Sequence, residues 1–347
     1  MSLHKISVFI AAVGLVALFF GFIPDNNASF TIIASGDTMM GSWAEDVISD
    51  SGYAYPFQRI TPLIGDADIF FTNLEAPFGT TGQPFEKKFN FQVKPDLVNV
   101  LLAGNINLVS LANNHTMDYG PDCLKETIET LDKHQIKYAG AGLNLKEARK
   151  SAILSISNKK VGFLSYSLTF PEEFWATDTT AGTCFPWEEF TMADVKALKD
   201  SCDFVIVSCH WGQELRDTPK DYQKELAHKL IDNGADLILG HHPHVVQGIE
   251  FYKDKFIAYS LGNFIFGSYS ESARDSFLLK TIVQDDNQMT AQIVPINVYN
   301  KVVDFRPEPL DGLQKKQFLD KMRRLSLELN ADSIGINGDG FVNIIKS

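Results

Sequence analysis

Asp236-Leu237-Ile238-Leu239-Gly240-His241-His242-Pro243-His244 joins a short apolar run to three imidazoles within four residues. A continuous apolar run of this length reads as a strand buried on both faces, the kind found in parallel sheets. The histidines stand where that strand stops. The same arrangement recurs upstream. Phe204-Val205-Ile206-Val207-Ser208-Cys209 ends on His210, and the run from Asn107 to Asn114 ends on His115. Five of the eight histidines therefore mark strand ends. In an open α/β sheet, strand ends are where ligands bind, and neutral imidazole is the commonest protein ligand for transition metals. A metal-dependent site follows as the leading expectation. In an extended segment His242 and His244 point the same way, and Pro243 fixes the backbone between them.

Working outward, apolar β-branched runs alternate with helical stretches. Strands are predicted over 30–35, 69–73, 108–112, 161–167, 204–209, 237–239, 256–260, 277–283 and 290–298. Helices are predicted over 121–134, with Leu124, Ile128 and Leu131 on one face, and over 192–199 and 222–233. The alternation predicts an α/β fold, and the strand-only stretch near the C-terminus predicts a second, mostly antiparallel sheet. Residues 170–190 are acidic, aromatic and aperiodic, which reads as a long surface loop or lid.

The net charge of -12 argues against general nucleic-acid binding. Ile6 to Ile23 is an apolar run of 18 residues, long enough to just span a bilayer, and no small-residue cleavage site follows it. Residues 1–24 are thus expected to be an uncleaved signal-anchor, with 25–347 forming the folded domain. Lys5 on the short flank orients that domain outside a single-pass cell-membrane anchor. Cys123, Cys184, Cys202 and Cys209 form no CxxC pair; Cys202 and Cys209 read as buried thiols, with a disulfide open in an oxidising compartment.

The polar residues at successive strand ends form a mixed nitrogen–oxygen set. They are Asp37 in Gly36-Asp37-Thr38-Met39-Met40-Gly41, Asn73 and Glu75, Asn113-Asn114-His115 with Asp118, His210 with Glu214, the histidine cluster, and Asn263. Such a set suits zinc, manganese or iron rather than calcium or a thiolate site. Asn114 offers a neutral oxygen, which frees His115 for acid–base work with Asp118 holding its ring. Lys87, Lys88, Lys94 and Arg216 are candidates for a basic groove toward a polyanion.

These motifs, with Asn113 to Gly120, His210 to Glu214 and Ser260 to Phe264, run in order from about residue 30 to 300 and resemble the bacterial CapA family of capsule and poly-γ-glutamate synthesis proteins. That family is similar to the calcineurin-like metallophosphoesterases, which implies a four-layer sandwich of two facing mixed β-sheets flanked by helices. By the resemblance, Asp37, Glu75, Asn114, His210, His242 and His244 match metal ligands, with Glu75 bridging, and His115 and Asp118 match catalytic positions. Asn73, Glu214, His241 and Asn263 would line the site. The implied cofactor is one or two divalent ions of manganese, zinc or iron. Phosphoesterases of this type carry a histidine two residues after the first aspartate; this chain has Met39. The functions implied are a hydrolase of a phosphoester or amide bond, a non-catalytic scaffold for the polymer or its synthase and export complex, or a general phosphodiesterase.

Overall fold

The computed structural model describes residues 28–65, 67–331 and 334–344, so the expected anchor over residues 6–23 lies outside the described residues. Among the described residues no helix is long and apolar enough to cross a membrane. In chain order the strands of the two main sheets are β1 (Ala28–Met39), β2 (Ile69–Leu74), β3 (Leu108–Ser110), β4 (Lys137–Ala139), β5 (Ala152–Ile156), β6 (Lys159–Ser167) and β7 (Phe204–His210). They continue with β8 (Leu237–His241), β9 (Ile249–Tyr252), β10 (Lys255–Ala258), β11 (Asn263–Phe266), β12 (Asp275–Gln284), β13 (Met289–Asn297) and β14 (Glu308–Pro309).

The first sheet has the order β14-β13-β12-β1-β2-β3-β4, with β11 also pairing to β1. The second has the order β9-β10-β8-β7-β6-β5. Each is mixed. β1, β2, β3 and β4 run parallel while β12 and β13 run antiparallel, and β6, β7, β8 and β10 run parallel with antiparallel β5 and β9 at the edges.

Side-chain alternation sorts the apolar residues into three cores. Ile32, Phe71, Leu108, Phe163, Phe204, Ile206, Leu237 and Leu239 fill the space between the sheets, where Phe30 meets Phe204 at 5.6 Å and Phe71 meets Phe163 at 5.3 Å. The opposite faces of the same strands meet helices. Ile33, Phe70 and Val109 pack with Ile48, Leu101, Leu124 and Leu131 on one side; Val205, Val207 and Ile238 pack with Val195, Leu198, Ala227 and Leu230 on the other. The expected helix–sheet–sheet–helix sandwich is borne out.

Two expectations are corrected. The strands predicted over 256–260, 277–283 and 290–298 build no separate antiparallel sheet: β12 pairs with β1 from Phe30 to Ala34, and β10 pairs with β8; of the described C-terminal strands only Ile334–Ile336 and Val342–Ile344 form a small antiparallel pair of their own. β1 buries both faces and needs partners on both edges, and β12 supplies the second edge. The strand predicted over 108–112 stops at Ser110, because the Asn113 side chain ties the next residues into a turn, accepting from the His115 backbone N–H at 3.0 Å and the Thr116 hydroxyl at 3.0 Å. All four cysteines are free and buried, as read for Cys202 and Cys209, and none pairs in a disulfide. Residues 170–190 are mostly irregular, with a single turn at Glu172–Phe174 and a short strand at Gly182–Thr183 that pairs with Ala141–Gly142.

Candidate metal centre

β1 changes partners near its end, and this change begins the site. Its register on β2 shifts between Ala34 and Asp37, and there β11 takes over from β12 as its neighbour. Gly36 makes this possible: a Cβ there would lie 2.0 Å from the Gly262 carbonyl oxygen. The Asp37 N–H donates to that same oxygen at 2.9 Å. Asp37 therefore lies level with Asn73 of β2 and Asn263 of β11. In the facing sheet His210 of β7 lies level with His241 of β8.

The two rows meet. The His241 Nδ1–H donates to Asp37 Oδ1 at 3.0 Å, and the Asn73 amide reaches Asp37 Oδ1 at 2.9 Å, Glu75 Oε2 at 3.1 Å and His210 Nδ1 at 3.3 Å. His210 Nε2 contacts Asn114 Oδ1 at 2.7 Å. His244 Nδ1 faces Asn263 Oδ1 at 2.9 Å and Asp37 Oδ2 at 3.3 Å, which turns Nε2 toward Glu75 Oε1 at 3.7 Å.

His242 and His244 do converge, but not by strand alternation. β8 ends at His241, and the two residues adopt φ of 95° and 58°, a left-handed region that non-glycine residues rarely occupy. That turn sets the rings 6.0 Å apart, and the His242 N–H donates to Asp37 Oδ2 at 3.2 Å. Backbone strain of this kind persists where the surroundings over-determine it.

Two donor groups result. Asp37, Glu75 and His210 each bring one ligand atom within 4.8 Å of the others, and so do Glu75, His242 and His244; Glu75 belongs to both. Glu75 Oε1 and His242 Nδ1 are buried with no hydrogen-bond partner. Leaving such atoms unpaired costs about 1–3 kcal/mol each, so they fit a cation rather than a packed core. The donor set is the nitrogen–oxygen mixture that zinc, manganese or iron accept.

Burial and mutual charge set the protonation of these groups. Burial and the Asp37 charge push the Glu75 carboxyl well above the usual range. Burial would raise Asp37 too, but the hydrogen bonds from His241 and His244 outweigh it and hold Asp37 well below. Burial opposes a charge on His244, yet Glu75 and Asp37 push it up to about 10. Burial and the neighbouring His244 bring His242 down to about 3, and burial depresses His210 likewise. Two neutral imidazoles are thus kept available as donors.

His115 stands apart from these donors. Its Nδ1–H donates to Asp118 Oδ2 at 2.7 Å, and its ring lies 4.5 Å from that of Phe91. Burial lowers its pKa, and the Asp118 carboxylate opposes the drop. Of the four candidate cations only Lys87 reaches the site. Its ammonium pairs with Asp118, donates to the Asn114 carbonyl at 2.6 Å and lies 3.3 Å from His115 Nδ1. Lys94 pairs instead with Glu45, Lys88 lies over Phe89, and Arg216 bonds Thr218, so the basic groove is reduced to one half-buried ammonium. Glu214 is exposed and acts on Glu75 only through its charge. Met39 is buried in the apolar core against the helices and brings no donor.

Asn113, which the sequence marks as a strand-end polar residue without assigning it a ligand or catalytic role, also belongs to the site. Its amide donates to Asn73 Oδ1 at 3.1 Å and the Leu74 carbonyl at 2.9 Å, orienting the residue that orients both carboxylates. Its signal in the sequence, half of an Asn-Asn pair, is ordinary turn chemistry.

Fold and site together define a four-layer α/β protein with a buried histidine–carboxylate centre at the facing ends of its two sheets. The chain belongs to the bacterial capsule synthesis protein PGA_cap family, whose profile matches residues 31–268. It is 31% identical over 294 residues to the PGA biosynthesis protein CapA of Bacillus subtilis, covering 83% of this chain and 76% of that protein. To the capsule biosynthesis protein CapA of Bacillus anthracis it is 30% identical over 280 residues, or 78% and 68% of the two chains. A probable polyglutamine synthesis accessory protein of Mycobacterium tuberculosis is 29% identical over 321 residues, or 77% and 84%. Among solved structures, the NAD nucleotidase of Haemophilus influenzae superimposes with a TM-score of 0.48 at 12% identity, over 85% of this chain and 62% of that one. The 5'-nucleotidase precursor of Thermus thermophilus gives 0.45 at 14% identity, over 81% and 54%.

Proposed function

We propose that the chain is a membrane-anchored, extracytoplasmic, metal-dependent protein of capsule or poly-γ-glutamate production that hydrolyses a phosphoester or amide bond. Its partners on this reading are the membrane, through residues 6–23, and the polymer or its synthase and export complex. The observation that carries the reading is the pair of donor groups meeting at Glu75, with buried ligand atoms that no group among the described residues satisfies.

Asp37, Glu75 and His210 would hold one divalent ion and Glu75, His242 and His244 a second, with Asn114 Oδ1 beside His210. Such ions supply Lewis-acid polarisation of a phosphoryl or carbonyl oxygen. The chain's own residues do the rest. Asp118 fixes the His115 tautomer by taking the Nδ1 proton in a hydrogen bond, and Lys87 holds Asp118 in place. Nε2 is then the working nitrogen: bare in the neutral ring, it would take a proton from the attacking water and pass it on to the leaving group. His241 and Asn73 keep the Asp37 oxygens aimed.

A second reading, a metal-stabilised scaffold without turnover, is favoured by Met39, whose apolar side chain stands where phosphoesterases of this type carry a histidine. One experiment separates the two. The full-length chain, purified without chelator, is analysed for metal by mass spectrometry and assayed on aryl phosphomonoesters, phosphodiesters and γ-glutamyl anilides. A His242→Ala/His244→Ala double variant and His115→Gln are run beside it. Hydrolysis predicts that the double variant loses the ion held by Glu75, His242 and His244, and that His115→Gln keeps its metal but loses turnover. Bound metal with no turnover on any substrate supports the scaffold, and no metal in any form overturns both.

A further inference from the structure

The segment 170–190 leaves the second sheet beside the candidate centre. The Leu168 N–H donates to the His210 carbonyl at 2.9 Å, and Phe174 lies under the Lys87 ammonium at 5.0 Å. Here four aromatic rings are gathered at the surface. Trp175 and Phe185 are 4.0 Å apart between centroids, Phe185 and Trp187 4.5 Å, and Phe170 and Trp175 6.0 Å. The Trp175 indole N–H is tied to the Thr169 carbonyl at 2.9 Å, which fixes the central ring. Phe170 remains 70% exposed and Trp187 41% exposed. Fixed rings left in water by a chain that buries most of its other aromatics call for a ligand.

Charge and geometry choose which. The segment carries Glu172, Glu173, Asp178, Glu188 and Glu189, all exposed, and no lysine, arginine or histidine; Lys229 pairs with Glu188 at 2.9 Å, which leaves four acidic charges in excess. That field repels a polycarboxylate or a nucleic acid. A caged cation is excluded as well, because it must sit between ring faces, and these rings touch one another with no gap for it. A neutral pyranose fits both constraints. Its C–H face stacks on an outer indole or phenyl face, and its hydroxyls donate to the rim carboxylates.

We propose that Phe170, Trp175, Phe185 and Trp187 form a stacking platform for a neutral glycan chain, held at the rim by the acidic side chains. The platform works without the metal centre, so its failure and that of the hydrolase reading are separable. The test titrates the full-length chain with β-1,4-linked N-acetylglucosamine and glucose tetramers, and separately with poly-γ-glutamate, reading tryptophan fluorescence and calorimetric heat. Saturable binding of a neutral tetramer is expected. Trp187→Ala should weaken it roughly tenfold, Trp187→Phe should retain most of it, and Leu313→Ala, an exposed apolar residue elsewhere, should leave it unchanged. An unchanged far-UV circular dichroism spectrum and urea midpoint in each variant show that the fold is intact. No saturable binding of either tetramer, equal binding by Trp187→Ala, or Trp187-dependent binding of poly-γ-glutamate would each overturn the proposal.

Discussion

Two of the clusters that pair buried carboxylates with histidines among the described residues are finished differently. At the edge of the second sheet, Glu250 accepts from the Tyr259 hydroxyl at 2.6 Å on one oxygen and contacts His228 Nε2 at 2.8 Å with the other, while the His228 ring stacks on Tyr252 at 3.9 Å. No atom of Glu250, His228 or Tyr259 is left buried without a partner. At the facing sheet ends, Asp37 and Glu75 are just as buried but Glu75 Oε1, His241 Nε2 and His242 Nδ1 have none. The first cluster is complete as protein and serves the fold. In the second, stability is given up for donors that converge on Glu75, the pattern of a functional site.

That contrast can be broken by substitution. The largest effect is expected for Glu75→Gln: because both donor groups share this residue, all bound metal should be lost, whereas His210→Ala should remove only part. Equal metal loss in the two variants, measured as ions per chain, would sink the shared-ligand arrangement. Next comes Glu250→Ala, which strands the Tyr259 hydroxyl and leaves a cavity. It should cost about 2–4 kcal/mol of stability by urea unfolding while metal content holds. A change in metal content there would mean the two clusters are not separate. Asn73→Ala removes the amide that aligns both carboxylates and should weaken metal affinity by roughly 10–100-fold in a competition titration against a chelating dye, with little change in unfolding midpoint. The smallest effect belongs to His228→Ala. Its side chain is 33% exposed, so losing its pairing should cost about 1 kcal/mol or less. A larger loss would show that the structural cluster depends on its imidazole rather than on the Tyr259–Glu250 bond.

Much of the site was legible because strand ends are local features. Buried runs stop at a polar residue, and the side chains of Asp37, Asn73, Glu75, Asn114, His115, His210, His241, His242, His244 and Asn263 all gather at the ends so marked. Local pattern misled where a turn replaced a strand. The rings of His242 and His244 converge through positive φ, and Asn113 ends β3 early by capturing the backbone N–H of His115. Lys87 could not be told from three other basic residues, because its burial depends on where residues 85–91 cross the Asn114 loop.

By itself the sequence determined the alternation of strands and helices, the apolar runs buried on both faces, the apolar face of the helix with Leu124, Ile128 and Leu131, and the residues poised at the strand ends, since periodicity records which side of an element is buried. Partnership was decided only by the tertiary structure. His241 meets Asp37 across 204 residues of chain, β12 rather than a separate sheet closes the edge of β1, and Asn73 spans carboxylates and imidazole at once. Such contacts depend on how two twisted sheets stack and which strand end faces which, and no local pattern encodes that.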